Sequence, residues 1–334
     1  MSYFIESVSE LKATFFKKAI SPLEYLFWKT QINILRACPP LFGIVSSTSL
    51  GSANSPRIWV KTAFRLAWQT PYALLLHWRD KRENRIVLSR CSVLITTRCT
   101  LNCNKCAAHI PDLTNRKNLP LNALVQDLQL LFSYIDHIYD LNLIGGETFL
   151  HQDLDELIQL CAKSGKAGHI TVTTNGTVIP NVKTLAALKT AGVTVKISNF
   201  GPALQPKVAQ LKAVLEENGI HHTHESATFW YDTGTFGQRQ EGSIKRRFSI
   251  CSQQLCLPYF NGKLHLCAES VFLMEEGRIP DCREDYIDLQ ATSPAAFRTQ
   301  WRKLLKKRSV SACSYCLGFT YKSPKIPVAV QRES

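Results

Sequence analysis

The sequence lacks an apolar run long enough to cross a membrane as a helix, which takes about 18 residues. The best candidate stretch, residues 59–78, is interrupted by Lys61, Arg65 and Pro71. Also missing are an apolar secretory segment at the start, internal repeats, low-complexity tracts and any recognised nucleic-acid-binding motif. A membrane-spanning protein, a repeat array and a nucleic-acid-binding module are therefore not expected.

Acidic residues are scarce, since 26 Asp and Glu stand against 40 Lys and Arg, which gives a net charge of +14. Residues 1–90 hold 13 of the basic residues but 5 of the acidic ones, together with four of the six tryptophans. Basic helices with aromatic residues can lie on an anionic membrane surface or dock an acidic partner. In the interpretation that we favour, these helices wrap the rest of the protein and their basic groups are solvated. Peripheral membrane contact is the less favoured alternative.

Cysteine, in contrast, is plentiful, with 12 residues, and it occurs in groups. Cys99, Cys103 and Cys106 form a C-x3-C-x2-C run, and Cys313 and Cys316 form a C-x2-C pair near the end. Such grouping favours metal ligation in a reducing compartment over disulfide bonds. We therefore expect a cytoplasmic, oxygen-sensitive protein.

Residue patterns predict a helical N-terminal region followed by an α/β fold. The run Ser21-Pro22-Leu23-Glu24 has the serine cap, early proline and glutamate of a helix start, and this helix is expected to end near Ala37. From about Ile86, short strands alternate with amphipathic helices, which is typical of a parallel sheet. The strands are predicted over residues 92–95, 137–144, 169–174 and 193–198.

The expected strand tips carry glycines and polar residues. Gly145-Gly146-Glu147 follows the second strand, Asn175-Gly176 the third and Asn199-Phe200-Gly201 the fourth. Ligands of parallel sheets bind at the carboxyl ends of the strands. Because the cysteine run follows the first strand, we expect it to share this edge with the three tips.

Three thiolates on one tight loop can hold three irons of a 4Fe-4S cluster and leave the fourth iron for an outside ligand. A structural zinc site made of Cys99, Cys103, Cys106 and His109 is the alternative. Zinc loops usually present C-x2-C pairs, however, and a zinc site gives no reason for a series of polar strand tips downstream. We therefore favour the iron–sulfur interpretation.

Together, the cysteine run, the Gly-Gly-Glu run and the order of the strand tips resemble the radical S-adenosylmethionine (SAM) enzymes over residues 90–225. The resemblance implies a partial (β/α)6 barrel, a 4Fe-4S cluster on the three cysteines and cleavage of SAM to a 5′-deoxyadenosyl radical. The residue before the third cysteine is usually aromatic or apolar and contacts the adenine; here it is Lys105, and no adenine contact is assigned to it. The implied SAM-binding residues are Gly145, Gly146, Glu147, Thr173, Asn175 and Ser198.

The second cysteine group begins with a predicted hairpin. Asn261-Gly262 is a strong signal for a two-residue turn, so Phe260 is expected to pair with Lys263. Counting outward places Cys256 opposite Cys267, with Cβ atoms about 4.5–5.5 Å apart, a separation that suits two ligands of one cluster.

A helix predicted from Ser293 leads from this hairpin to the closing C-x2-C pair. A hairpin, a helix and a closing pair resemble the twitch domain of radical SAM enzymes, a shortened SPASM domain that holds one auxiliary 4Fe-4S cluster. The organisation is similar to that of the 2-deoxy-scyllo-inosamine dehydrogenases. The resemblance implies a helical extension (residues 1–88), the barrel (89–240) and a small hairpin-plus-helix cluster domain (241–334).

Five cysteines compete for the four places of the auxiliary cluster: Cys251, Cys256, Cys267, Cys313 and Cys316. In the twitch pattern four of them ligate and one is spare. In the pattern of larger SPASM proteins, both Cys251 and Cys256 would ligate, together with only one cysteine of the closing pair. The hairpin argument favours Cys256 and Cys267. A disulfide between these two, or zinc binding by the whole group, stays open.

The resemblance implies an enzyme that acts on a small molecule, and we expect oxidation of an alcohol in a carbohydrate or aminocyclitol. Epimerisation with Cys251 or Cys282 as hydrogen donor, peptide modification and a non-catalytic metal-bound scaffold are the alternatives. Residues 228–234, with Arg239 and the basic run 245–247, form a candidate substrate lid that suits a phosphate or nucleotide handle. A solvated loop explains them equally well. An external donor such as flavodoxin or ferredoxin would supply electrons.

Overall fold

The computed structural model describes residues 21–41, 70–225, 229–234, 241–320 and 322–332. No helix within these ranges is both long enough and apolar enough to span a membrane.

The N-terminal helix α1 (Ser21–Ala37) begins and ends where the sequence predicts. Its side chains Trp28 and Ile32 are buried, and Ile32 packs against Leu255 in the C-terminal part of the chain. A second helix, α2, spans residues 70–82. Helix α1 therefore lies against the rest of the protein.

The described chain forms ten strands, of which eight make one sheet in the order β5-β4-β3-β2-β1-β7-β8-β9. Strands β1 to β5 are parallel, β7 pairs parallel with β1, and β7, β8 and β9 are antiparallel to one another in turn. Strands β6 and β10 form a separate antiparallel pair. The strands are β1 (Val87–Thr96), β2 (His137–Gly145), β3 (Ile170–Thr174), β4 (Thr194–Ile197), β5 (His222–His224), β6 (Phe229–Tyr231), β7 (Leu257–Phe260), β8 (Lys263–His265), β9 (Tyr286–Asp288) and β10 (Lys325–Pro327).

The predicted parallel α/β core is confirmed in β1 to β4, and β5 extends it by a strand that the sequence did not predict. Helices with buried apolar faces connect these strands. In the helix between β2 and β3, for example, Leu157, Ile158 and Cys161 are buried. Because the five strands run in the same direction, the loops that follow them lie at one edge of the sheet. The connecting helices are α3 (Leu121–Tyr134), α4 (Leu154–Lys163), α5 (Val182–Thr190) and α6 (Gln205–Glu217).

The expected count of six βα units is not confirmed. After β5 the chain forms β6, which pairs with β10 rather than with β5. The free side of β1 is taken instead by β7, so the hairpin of β7 and β8 continues the sheet of the barrel. Within the described residues, the parallel part of the sheet therefore consists of β1 to β5 and β7.

The C-terminal part shares its core with the parallel sheet. The helix predicted from Ser293 is confirmed as α9 (Pro294–Leu305), and the Ser293 hydroxyl caps it by accepting a hydrogen bond from a backbone N–H of the first turn. Tyr259, Phe297 and Trp301 belong to the same buried cluster as Leu143 of β2. The domain boundary near residue 240 stays a prediction. The helices of this part are α7 (Glu241–Phe248), α8 (Ala268–Glu275) and α9 (Pro294–Leu305).

Candidate functional site

The C-x3-C-x2-C run lies on the loop directly after β1. Cys103 is buried, and Cys99 and Cys106 are half-buried. The loop turns sharply at Lys105, with φ of 56°, and at His109, with φ of 50°, both in the left-handed region. Non-glycine residues adopt this region mainly in tight turns. The loop is thus a compact one that keeps the three thiols close together.

The glycines after β2 lie directly against this loop. The N–H of Gly146 donates to the carbonyl of Thr96 at 3.0 Å, and the N–H of Glu147 donates to the carbonyl of Arg98 at 2.7 Å. A Cβ atom at Gly145 would lie 2.3 Å from the Thr96 oxygen, and one at Gly146 would lie 2.3 Å from the Arg98 oxygen. Since no real Cβ tolerates such contacts, glycine is the residue that lets the two backbones meet.

Glu147 ties the cysteine loop to the tip of β3. Its carboxylate is fully buried and accepts hydrogen bonds from Thr174 Oγ1 at 2.7 Å, Asn175 N at 2.8 Å and Phe149 N at 3.0 Å. Burial raises the pKa of Glu147 to about 7, although these hydrogen bonds oppose the shift. The side chain is used here to hold the neighbouring strand tip, and its contact with the SAM amino group stays a prediction.

The other predicted SAM-binding residues gather at the same edge. Asn175 Nδ2 lies 3.6 Å from Cys99 Sγ and 3.2 Å from Thr100 Oγ1. The backbone N–H of Ser198 donates to the Thr174 carbonyl at 2.9 Å, so the tips of β3 and β4 are joined. The hydroxyl of Thr173, within β3, donates to the side chain of Asn142 in β2. The structure thus places Asn175 beside the cysteine loop, whereas among the described residues no hydrogen bond to the loop is seen for Thr173 or Ser198, and the SAM contacts of all three stay predictions.

The thiols of the loop are weak acids in this environment. Burial raises the pKa of Cys103 to about 11, although a hydrogen bond from Gln331 opposes the shift. Burial likewise raises the pKa of Cys99 and that of Cys106. Because metal ligation requires thiolates, loading the site with iron must displace these protons. Three neighbouring thiols on a loop held against glycines form a donor set that fits a 4Fe-4S cluster.

The alternative zinc site is not supported by the position of His109. Its Nε2 lies 2.7 Å from Glu269 Oε2, and both side chains are buried. Burial alone would lower the pKa of His109, but the bond to Glu269 raises it above its usual value. Across the described ranges, no three His, Cys, Asp or Glu side chains converge closely enough to hold a single metal ion; this is true of both cysteine groups and does not distinguish zinc from a cluster.

A second group of cysteines lines one pocket. Burial raises the pKa of each of its thiols, to about 12 for Cys313. Backbone N–H groups point at two of the sulfurs: Gly318 N is 3.1 Å from Cys316 Sγ, and Phe319 N is 3.4 Å from Cys251 Sγ. Such a donor set fits a second iron–sulfur cluster. The four cysteines of the pocket are Cys251, Cys267, Cys313 and Cys316.

Cys256 is placed differently from the hairpin expectation. The predicted pairing of Phe260 with Lys263 is confirmed, but the ladder extends outward only to the next pair, Tyr259 with Leu264. Cys267 is the N-cap residue of α8, and β7 pairs with β1 along its other edge. Cys256 does not line the four-cysteine pocket and lies beside Arg90 of β1 instead.

Residues 93–203 match the sequence model of the Radical SAM superfamily. The chain contains a radical SAM domain. Over 146 residues, the chain is 30% identical to the GTP 3′,8-cyclase of Aquifex aeolicus (strain VF5). This match spans 41% of the chain and 43% of that enzyme, so the similarity covers less than half of the relative's length.

Similar solved structures include native anSMEcpe with bound AdoMet and the Cp18Cys peptide, at 11% identity and a TM-score of 0.44 over 66% of this chain and 80% of that chain. BtrN in complex with AdoMet and 2-DOIA has 15% identity and a TM-score of 0.40 over 69% and 92% of the two chains. Streptococcus suis SuiB bound to the precursor peptide SuiA has 15% identity and a TM-score of 0.35 over 62% and 46%.

The radical SAM domain has a charged group on the inner face of its sheet that the sequence interpretation missed. Asp140 of β2 is fully buried, and its Oδ2 lies 3.2 Å from Lys196 Nζ and 3.4 Å from Arg90 Nε. Burial lowers the pKa of Lys196 to about 8; Arg90 adds to this shift and Asp140 opposes it. The alternation of Asp140 and Asn142 with leucines inside β2 is the sequence signal that could have found this face.

Described residues of the candidate substrate lid contact other parts of the protein. Lys105 Nζ lies 3.1 Å from Asp232 Oδ1, so the loop after β6 is bound to the cysteine loop. Arg246 packs over an aromatic ring of α1, and Arg247 donates to a carbonyl of the four-cysteine pocket. Arg239 lies outside the described residues. A phosphate or nucleotide handle bound by these arginines stays a prediction.

Proposed function

We propose that this radical SAM enzyme oxidises an alcohol group of a small molecule such as a carbohydrate or an aminocyclitol. The radical SAM domain and the close contact between the Gly-Gly-Glu run and the cysteine loop support SAM-dependent radical chemistry. The observation that carries the oxidation is the pocket lined by four cysteines. A second cluster held there would provide an acceptor for the electron that net oxidation releases.

The roles of the chain's own residues follow from their positions. Cys99, Cys103 and Cys106 would hold the first cluster, and Glu147 would keep the β3 tip beside it. When bound, this cluster and SAM supply a radical that abstracts a hydrogen atom from the substrate. Lys196 is the candidate proton acceptor for the alcohol, because its amine lies on the inner face with its pKa lowered by burial.

Anaerobic reconstitution of the full chain tests this proposal. We expect about eight irons per chain, as two 4Fe-4S clusters require. SAM should be consumed stoichiometrically, with 5′-deoxyadenosine and a ketone as products. An iron content near four per chain would contradict the second cluster. Absence of 5′-deoxyadenosine at full iron loading would contradict the enzyme assignment and favour the metal-bound scaffold.

The substrate class can be narrowed toward phosphate- or nucleotide-linked compounds. The similarity to an enzyme named GTP 3′,8-cyclase and the net charge of +14 support this choice. Turnover of phosphorylated and unphosphorylated sugars and aminocyclitols should be compared with the same flavodoxin or ferredoxin as electron donor. Equal turnover of both sets would remove the phosphate handle from the proposal and leave the oxidation standing.

A second candidate function, epimerisation, is favoured by the position of Cys256. This thiol lies beside Arg90 at the inner face and outside the four-cysteine pocket, whereas Cys251 lines the pocket. In an epimerase, its S–H bond would break as a C–H bond forms on the opposite face of the substrate. The thiyl radical left on Cys256 would be returned to the thiol by one electron from the external donor and one proton from solvent. Turnover in D2O separates the two functions. An epimerase incorporates deuterium at one carbon, and the C256A variant loses this incorporation. An enzyme that oxidises the alcohol yields a ketone instead.

A further inference from the structure

The C-terminal segment of the chain lies along the loop of the first cysteine group. Gln331 forms an antiparallel bridge with Cys103. On either side of this bridge, Asn104 N donates to the Val330 carbonyl at 2.6 Å, and Arg332 N donates to the Asn102 carbonyl at 2.8 Å. The loop that carries the thiols is thus paired, residue by residue, with a segment more than 220 positions away in sequence.

The side-chain amide of Gln331 is fixed by its partners. The Asn102 backbone N–H can only donate, so the group that faces it at 2.7 Å is the amide oxygen. The amide nitrogen therefore points the other way. It lies 2.6 Å from the Ala329 carbonyl and 3.1 Å from Cys103 Sγ. One N–H of Gln331 is consequently aimed at the sulfur of a predicted cluster ligand.

A second contact holds the segment beyond the third cysteine. Arg332 Nη1 lies 2.8 Å from Asp112 Oδ1, on the short turn that follows the loop, and Arg278 also approaches this carboxylate at 3.6 Å. The segment therefore contacts the loop around its second cysteine, at Asn102 to Asn104, and the chain again after the third cysteine, at Asp112. The second half of the ligand loop is thus held from both sides by residues 329–332.

We propose that Gln331 is a positioning residue for Cys103 and that residues 329–332 clamp the loop of the first cluster. The inference rests on the proposed function, because it assumes that Cys103 binds iron. An N–H directed at a ligating sulfur stabilises the negative charge on that sulfur, which raises the reduction potential of a cluster. It also fixes the orientation of the ligand, and loss of such a partner typically weakens metal binding by about 10–100-fold.

The test compares Q331L with Q290L in the reconstituted full chain. Leucine keeps the approximate volume of glutamine and removes the N–H donor, and Gln290 is an exposed glutamine outside both cysteine groups. We expect the first cluster of Q331L to have a more negative midpoint potential in an EPR-monitored redox titration. Its iron should be lost to a chelator about 10-fold faster than in the wild type. Q290L should match the wild type in both measurements.

A further variant, Q331E, separates the donor from simple packing. The carboxylate of this variant has no N–H and adds negative charge beside Cys103. The midpoint potential of the first cluster should therefore fall at least as far in Q331E as in Q331L. Equal potentials and chelation rates in the wild type, Q331L and Q331E would overturn the clamp and leave the proposed function intact. A wild type that binds no iron on the first loop would instead overturn the proposed function, and the clamp with it.

Discussion

Gly146 is the residue that most directly couples the sheet to the cysteine loop. In G146A, the new Cβ would lie 2.3 Å from the Arg98 oxygen and 2.9 Å from Cys99 Cβ, so the loop must shift. We expect a loss of about 1–3 kcal/mol in the free energy of unfolding, as for other overpacked sites. Iron bound per chain should also fall, measured after anaerobic reconstitution.

The control for this substitution is G192A. Gly192 has φ of 62° and no neighbouring atom within 4 Å of its Cβ position. Alanine there should cost about 1 kcal/mol through backbone strain, with no change in iron content. If G146A kept full iron content, the close packing of the two backbones would not be what shapes the loop.

Lys196 should make the rate of substrate oxidation depend on pH. Burial first, and Arg90 second, lower its pKa to about 8, while Asp140 opposes them. The amine accepts a proton only when neutral, so the rate of substrate oxidation should rise as pH increases through about 8. K196M should lose oxidation while SAM cleavage without oxidation persists. A pH–rate profile that is the same in K196M and the wild type would rule out this role.

At the scale of elements, the register of the β7–β8 hairpin decides which thiols meet. We expect C267A to fall from about eight to about four irons per chain, because it removes one ligand of one 4Fe-4S cluster. C256A is the matched control and should keep its full iron content, since Cys256 lies outside the pocket. Iron and sulfide analysis of both variants measures this, and 5′-deoxyadenosine formation by C267A would show that the first cluster is intact. Loss of iron from both variants would restore the expected pairing of Cys256 with Cys267, and full iron content in C267A would remove Cys267 from the ligand set.

At the scale of the whole molecule, His109 and Glu269 connect the two cysteine groups. His109 follows the first loop, and Glu269 lies on α8 at the second pocket. The pKa of His109 is raised in the folded state, so the ion pair stabilises the protein fully below the ordinary histidine pKa of about 6.5. This contribution is lost as pH rises through the folded-state pKa.

E269Q removes this charge pair. We expect a loss of about 2 kcal/mol near pH 6, as for a hydrogen bond to a charged group. The difference between the wild type and E269Q should shrink toward pH 9. Anaerobic urea unfolding at the two pH values measures it, with E275Q, an exposed glutamate of the same helix, as the control. A difference that stays constant or grows with pH would show that His109 is neutral in this contact.

Local patterns were sufficient for much of the fold. The start of α1 at Ser21, the alternation of strands and helices after Ile86 and the pairing of Phe260 with Lys263 follow from capping, periodicity and turn chemistry, which act over a few residues. The gathering of Glu147 and Asn175 beside the cysteine loop follows from the same logic. In a parallel sheet, consecutive strand tips meet at one edge whatever the details of their packing.

The sequence by itself determined which residue types were available for chemistry and the edge of the sheet at which the first group lies. The tertiary structure decided that Cys256 faces Arg90, that Lys196 shares Asp140 with Arg90, and that Gln331 reaches Cys103. These contacts join positions far apart in the chain, so no local pattern encodes them. They depend on β7 pairing with β1 and on the last residues crossing the cysteine loop, which are outcomes of packing.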